Sequence, residues 1–291
     1  MASRSSIMRS AGLRLLVITI FLAATGFLCA TLVRFAPGFG VDERELDSRL
    51  SDRSIVAIRG AHQDEQNVFR FYAKYLAGCI RGHFGDSELF QQPISQLIQD
   101  RWVATVENIA GGLALAWAVV LLFAFLAVTL QQAVLDAALS ALSGALISVP
   151  AAVVALLVAM ARKPACLAIA IAVLPPLYRY TRNVLGNSWN APWIIAARAK
   201  GLSRPRIIFS HVLAVAGPQL VALAGVSLTM AFSASVPIEV LSDSPGLGQL
   251  AWQAAIGRDL PLVVTITGLV ATVTLLANAG ASLANEMLQP A

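Results

Sequence analysis

Residues 109–130 read IAGGLALAWAVVLLFAFLAVTL, which is 22 residues without a charged side chain. A helix rises about 1.5 Å per residue, so roughly 20 apolar residues cross a hydrocarbon core about 30 Å thick. Three more uncharged stretches are as long: Leu15–Val33 with 19 residues, Ala137–Ala161 with 25 and Pro261–Asn285 with 25. These stretches predict a protein that crosses a membrane as helices.

Two further apolar stretches, Pro164–Leu177 and Val212–Ile238, are shorter or carry a polar interruption and bring the number of predicted spans to six. The composition agrees, because the chain is 57% apolar and only 13% charged, whereas soluble domains carry about 25% charged residues. Several prolines predict interruptions of these helices: Pro150, the pair Pro175–Pro176, and Pro218. The predicted fold class is therefore all-α, a polytopic membrane protein with six transmembrane helices.

The charges fix a predicted topology. Residues 178–211, called the basic segment here, contain six Lys or Arg and no Asp or Glu, and three arginines with no acid precede the first span. Basic residues stay on the cytoplasmic side, so both termini and the basic segment are predicted to be cytoplasmic. Residues 36–101, with eight basic and ten acidic residues, form an extracytoplasmic loop. The predicted organisation is an N-terminal segment with the first span (1–35), this loop (36–101) and a five-span core (102–291).

A net charge of +5 does not indicate nucleic-acid binding, because the basic residues lie at the ends of apolar spans rather than along one folded surface. The histidines and cysteines lack the spacing of a metal site or a disulfide framework. The chain has no nucleophile motif and no phosphate-binding glycine loop. Glu107 and Asp136 lie near span ends, where they are expected to be solvated. We therefore expect no enzyme activity and no cofactor, and any energy for transport must come from another polypeptide or an ion gradient.

The basic segment contains a predicted amphipathic helix, Ser188–Lys200, with Trp189, Trp193 and Ala197 on one face and an end at Gly201. Glycine suits the left-handed conformation that closes many helices. Such a helix fits two uses, lying on the lipid surface or docking into a groove on a cytosolic partner. The residue pattern alone leaves both open.

Motifs along most of the chain resemble the dipeptide/oligopeptide/nickel family of ABC importer permeases. The most specific are Ala197-Arg-Ala-Lys-Gly-Leu-Ser203 and Pro245-Gly-Leu-Gly248. The weaker ones occur in the family's order: Phe35-Ala-Pro-Gly38, Gly82-His-Phe-Gly-Asp-Ser87, Pro93-Ile94, Asp136, Ser148-Val-Pro150, Arg179-Tyr-Thr-Arg182, His211-Val-Leu213, Glu239 and Arg258-Asp-Leu-Pro261.

The resemblance implies the type I ABC importer permease fold, in the inner membrane, and it selects the second use of the amphipathic helix. It implies a second homologous permease subunit, two ABC ATPase subunits and an extracytoplasmic solute-binding protein as partners, in addition to the lipid bilayer. The residues that would couple to the ATPases are Trp193, Ala197, Arg198, Ala199, Lys200, Gly201, Leu202 and Ser203. The residues of an extracytoplasmic motif would be Glu239, Pro245, Gly246, Leu247, Gly248 and Asp259.

The cargo implied by the resemblance is a di- or oligopeptide, with a nickel or other metal complex as the alternative within the same family. Two alternatives from other classes remain, an ion-gradient-driven carrier and a membrane scaffold. The chain also departs from the family pattern. Residues 193–196 read Trp-Ile-Ile-Ala where the family often has Tyr-Val-Arg-Thr, His83 replaces an Asp, and Ser244 stands where an aromatic is common.

Overall fold

The computed structural model describes residues 84–130 and 133–288, together with seven isolated positions before residue 84. The predicted first span lies, apart from six of those positions, outside the described residues, as does most of the loop up to residue 83. Eight helices follow one another along residues 84–288. They are α1 Ile94–Leu130, α2 Ala133–Ile147, α3 Ala151–Met160, α4 Ala165–Trp189, α5 Pro192–Ala199, α6 Arg204–Leu241, α7 Leu247–Ile256 and α8 Leu260–Leu288.

The all-α prediction is confirmed, because β structure in the described residues is limited to one isolated bridge between Asp86 and Pro93. Three helices, α1, α6 and α8, are long and apolar enough to cross a membrane. They contain the predicted second, fifth and sixth spans. The helix that holds the second span is longer than that span, since α1 begins at Ile94.

The stretch predicted as the third span, Ala137–Ala161, is broken. It consists of α2 and α3, which are bent by 94° relative to each other. The break falls at Ser148-Val-Pro150, where Pro150 has φ −59° and ψ 141°. Proline disfavours a helical conformation in the residue before it, so the chain leaves helix at Val149. If the pair counts as one span, the described residues hold four candidate spans.

Two other predicted proline interruptions are wrong. Pro175 and Pro176 lie inside α4, which continues well past the predicted end at Leu177 to Trp189. Pro218 lies inside α6. The Ser143 hydroxyl of α2 donates a hydrogen bond to the Pro175 carbonyl at 2.9 Å, so a neighbouring helix binds α4 at its proline pair. Such help from neighbours lets membrane helices tolerate proline.

The chain divides into two compact units. Among the described residues, the first holds Val103–Gln249 and residues 273–288, and the second holds Leu250–Thr272 and residues 84–102. In the first unit α4 is central and packs against α2, α3 and α6. Its Ile169, Leu177 and Leu185 are fully buried. The second unit buries Ile94 and Leu262 completely.

Gly112 of α1 lies close against α4, which yields a testable prediction. A Cβ added there would lie 2.8 Å from the Ile169 Cβ and 2.9 Å from the Cys166 carbonyl oxygen. Gly112→Ala therefore has to push the two helices apart. We expect it to lower the free energy of unfolding by about 1–3 kcal/mol, measured as a lower melting temperature in detergent.

The matched control is Gly144→Ala, inside α2, where an added Cβ has nothing within 4 Å. Alanine favours helix over glycine by about 0.5–1 kcal/mol, so this variant is expected to melt no lower than the native chain. Equal melting temperatures for the two variants would contradict the close packing of α1 on α4.

Candidate functional site

The helix predicted over Ser188–Lys200 is two helices. α4 ends at Trp189, and after a break at Asn190 and Ala191 the short helix α5 begins at Pro192. Ala191 is extended, with φ −69° and ψ 147°, as expected for a residue before proline. Proline suits the first position of a helix because its missing N–H needs no partner there. The sequence signal for the break was therefore Asn190-Ala191-Pro192.

The predicted shared face of this helix is also wrong. Trp189 and Ala197 are each only 4% exposed, whereas Trp193 is 48% exposed. Trp189 belongs to α4, so its spacing of four residues from Trp193 does not place the two on one helical face. The buried face of α5 carries Ile194 and Ala197, while Trp193 and Ile195 are exposed on different sides of the helix.

The end of α5 follows the prediction. Gly201 has φ +76°, the Gly201 N–H donates to the Arg198 carbonyl at 2.9 Å, and the Leu202 N–H donates to the Ala197 carbonyl at 3.3 Å. This pair of bonds is the Schellman motif, which needs a left-handed residue at the Gly201 position. After Leu202 and Ser203 the chain enters α6, so Gly201 ends one helix and lets the chain turn into the next, as predicted.

Two arginines of the basic segment have partners within the first unit. Arg182 makes a two-pronged ion pair with Asp136, in which Nε lies 2.8 Å from one carboxylate oxygen and Nη2 bonds the other. This pair joins the start of α2 to α4. The Arg198 guanidinium lies over the Trp189 ring, 4.8 Å from its centroid. The remaining residues predicted to couple are exposed, apart from half-buried Leu202: Ala199, Lys200, Gly201 and Ser203.

A second candidate site, called the Glu239 cluster, consists of Glu239, Thr105, Gly246, Leu247 and Gly248. Glu239 is completely buried. One carboxylate oxygen accepts a hydrogen bond from the Thr105 hydroxyl at 2.8 Å, and the other accepts from the Gly248 N–H at 2.7 Å. The Thr105 oxygen in turn accepts from the Leu247 N–H at 2.7 Å.

The cluster binds the N-terminus of α7. The first N–H groups of a helix have no partner within it and attract negative charge. Glu239 and Thr105 supply those partners for α7. These hydrogen bonds join α1, which carries Thr105, to the end of α6 and the start of α7. Gly246 has to be glycine, since a Cβ there would overlap the Glu239 carboxylate.

The predicted motif around Glu239 is brought together only in part. Gly246, Leu247 and Gly248 meet the carboxylate, while Pro245 is exposed. Asp259 belongs to the second unit and has its own partners there. It accepts hydrogen bonds from the Ser87 hydroxyl, from the Leu89 N–H at 3.1 Å and from the Leu262 N–H at 3.1 Å.

Thr105 was missed by the sequence analysis. It lies 134 residues before Glu239, in an apolar helix where one threonine is unremarkable. Nothing in a single sequence indicates that the two side chains meet.

A cavity of about 410 Å³ opens between α3, α4 and α6. Its wall is apolar except for two hydroxyl groups, those of Thr229 and Ser233. The other lining residues are Ala151, Ala172, Val173, Val226, Met230 and Ala234. In the described part of the chain, no group of three His, Cys, Asp or Glu residues is placed to hold a metal ion.

The Glu239 cluster yields a second prediction. Thr105→Val keeps the shape of the side chain but leaves a carboxylate oxygen and the Leu247 N–H without partners. Each such buried group costs about 1–3 kcal/mol, so the melting temperature in detergent is expected to fall clearly.

Thr129→Val, on the same helix, is the control, because the Thr129 hydroxyl bonds carbonyl groups of its own helix, the nearer being Phe125 at 2.7 Å. It is expected to change the melting temperature little. The role of Thr105 would be refuted if both valine variants melted alike.

Comparison with known proteins identifies the family. A family model described as the binding-protein-dependent transport system inner membrane component matches residues 120–291. A putative peptide permease protein of Brucella suis is 24% identical over 95% of this chain and 96% of its own length. The oligopeptide transport system permease protein OppB of Haemophilus influenzae is 26% identical over 89% of this chain and 90% of its own.

The dipeptide transport system permease protein DppB of Lactococcus lactis is 23% identical, with 88% of each chain covered. The family match includes α2 to α8 and the last part of α1, residues 120–130. It thus contains α5, the Schellman turn at Gly201 and Glu239 with its glycine turn. The chain belongs to the family of binding-protein-dependent transport system inner membrane components, and it is a membrane-embedded permease rather than an enzyme.

Proposed function

We propose that this permease carries peptides and is driven by two ABC ATPases that dock on α5. The cargo is inferred from relatives that align along most of the chain and are named peptide, oligopeptide or dipeptide permeases. The path would run between this chain and a second homologous permease. An extracytoplasmic binding protein would deliver the peptide.

The observation that carries the coupling proposal is the two-faced character of α5. One face is fixed in the protein core through Ile194, which is fully buried, and Ala197. Outside that face Trp193 is 48% and Ile195 67% exposed, on different sides of the helix. Tryptophan is enriched at the energetic centres of protein interfaces, and exposed apolar groups of this kind often mark interaction sites.

The small exposed Ala199 and the charged Lys200 complete the proposed docking face. A small residue lets a partner approach the helix closely, and Lys200 favours an acidic rim on the ATPase groove. The family resemblance assigns the same segment, residues 197–203, to this contact.

Movement of α5 would reach the membrane through the turn at Gly201. α6 starts three residues later and contains a five-residue stretch of π-helix at Ile208–Val212 before it continues to Leu241. In the proposed cycle, ATP binding closes the ATPases and the permease pair changes from inward-open to outward-open. Nucleotide can shift that equilibrium only if the ATPases contact α5 differently in the two states.

The proposed topology follows from the charges. Both termini and the basic segment, residues 178–211, would be cytoplasmic, while residues 36–101 and the Glu239 cluster would lie at the extracytoplasmic side. In that arrangement the Glu239 cluster and the bonds of Asp259 hold segments near the binding protein. Residues 102–291 would form the core shared with other permeases of the family.

Gly201 provides the test. Gly201→Trp is expected to abolish ATP-driven uptake while leaving membrane insertion intact, because a bulky residue strains the backbone at φ +76°. A Cβ at this position has nothing within 4 Å, so the first side-chain atom meets open space. The measurement is uptake of a labelled oligopeptide into proteoliposomes that contain both permeases, the ATPases and the binding protein.

Gly201→Asn is the matched control, since asparagine tolerates the left-handed conformation, and it is expected to keep most of the uptake. Normal uptake by Gly201→Trp would refute the assignment of α5 to coupling. Uptake without any ATPase subunit would favour a gradient-driven carrier instead. Stable assembly with ATPases but no transported peptide would refute the cargo, and Ni(II) complexes are then the probe to use.

A further inference from the structure

Arg198 of α5 contacts a ring of its own chain, which its positive charge alone does not suggest. In a basic segment proposed to meet an ATPase, an exposed arginine is expected to point at acidic groups of that partner. Instead, its guanidinium lies over the ring of Trp189 at 4.8 Å from the centroid. Trp189 is the last residue of α4, so this contact joins two helices across the break at Asn190 and Ala191.

The contact has the geometry of a cation–π interaction, in which a guanidinium within about 6 Å of an indole centroid is attracted to its face. Trp189 is 4% exposed and is thus fixed in the core, whereas Arg198 lies on the solvent side of α5. The arginine thus covers a ring that is buried in the core. The contact joins α5 to the end of α4.

Apart from the contact of Arg198 with Trp189, α5 is attached to the core mainly along one helical face. Ile194 and Ala197 lie three residues apart on the same helical face, and a helix held along one stripe can rock about it. The link through Asn190 and Ala191 is too short to form helix and does not fix the angle of α5. Arg198 adds a contact away from the stripe, which fixes that angle.

We propose that Arg198 is a positioning residue that clamps α5 to the end of α4, so that a push on α5 moves α4 as well as α6. This rests on the proposed function, in which α5 receives the push. α4 packs against α2, α3 and α6, and the Arg182–Asp136 pair ties it to the start of α2. Through the contact at Trp189, a movement of α5 therefore reaches α4, at the centre of the first unit. The turn at Gly201 is a second route, which leads from α5 to α6.

The test uses the whole transporter, with both permeases, the ATPases and the binding protein in proteoliposomes. The quantity measured is the number of labelled peptides transported per ATP hydrolysed. Arg198→Gln and Trp189→Leu are each expected to keep the ATPases bound and hydrolysing ATP, yet to lower this ratio severalfold. The double variant is expected to be no worse than either single one, because both remove the same contact.

Two conservative variants separate positioning from a general structural defect. Arg198→Lys and Trp189→Phe retain a cation and a ring, so each is expected to recover most of the ratio. Arg206→Gln, an exposed arginine in the same segment with the same change of charge, is expected to leave the ratio unchanged. If Trp189→Leu fails to insert, the Arg198 variants and Trp189→Phe still decide the question.

Loss of ATPase binding in Arg198→Gln, with normal transport per ATP in Trp189→Leu, would overturn the clamp and make Arg198 a direct ligand of the partner. The proposed function would survive that result. A normal ratio in Arg198→Gln, while Gly201→Trp still abolishes uptake, would also overturn the clamp alone. Normal uptake in both Gly201→Trp and Arg198→Gln would instead refute the coupling role of α5.

Discussion

A backbone N–H or C=O that is buried away from water needs a partner inside the protein. Within a helix the condition is met automatically, so the difficult places are the helix ends. The N-terminus of α7 is bonded by Thr105 and Glu239, and that of α8 by Asp259. The C-terminus of α5 is closed by the backbone bonds around Gly201. Buried Thr105, Glu239 and Asp259 are thus placed where helices begin.

The three helix ends are closed in different ways, and the difference fits different mechanical roles. Buried carboxylates are costly to move, since a lost partner leaves a charge without compensation. Glu239 and Asp259 therefore mark places where the chain is held. The end of α5 uses only backbone bonds and a glycine. A helix closed in this way can be displaced by a partner without breaking a buried ion pair or stranding a charge, as coupling requires.

Long apolar runs made α1, α6 and α8 predictable, because a run of such length has few alternatives to a helix. Local breaks were harder to judge. Pro150 does separate two helices, but Pro175 and Pro218 do not, and the difference depends on neighbouring helices rather than on the proline itself. The break before α5 was visible in Asn190-Ala191-Pro192 and was overlooked because the tryptophan spacing suggested one helix. The partners of Glu239 and Asp259 were not predictable, since Thr105 and Ser87 have no pattern that links them to distant acids.

The uses of positive charge in the basic segment change what should be expected of its partner. Arg182 is committed to Asp136, and Arg198 lies on Trp189, so two of the six basic residues already serve the internal structure of the first unit. In the proposed arrangement, charge in this segment orients the protein in the membrane and positions α5 before it serves recognition. The surface of α5 that remains for a partner includes Trp193 and Ile195, with Lys200 at its end. An ATPase groove that fits this helix would therefore gain its affinity chiefly from apolar contact. Acidic groups at the rim of the groove would set the orientation of the helix more than they would add to the affinity.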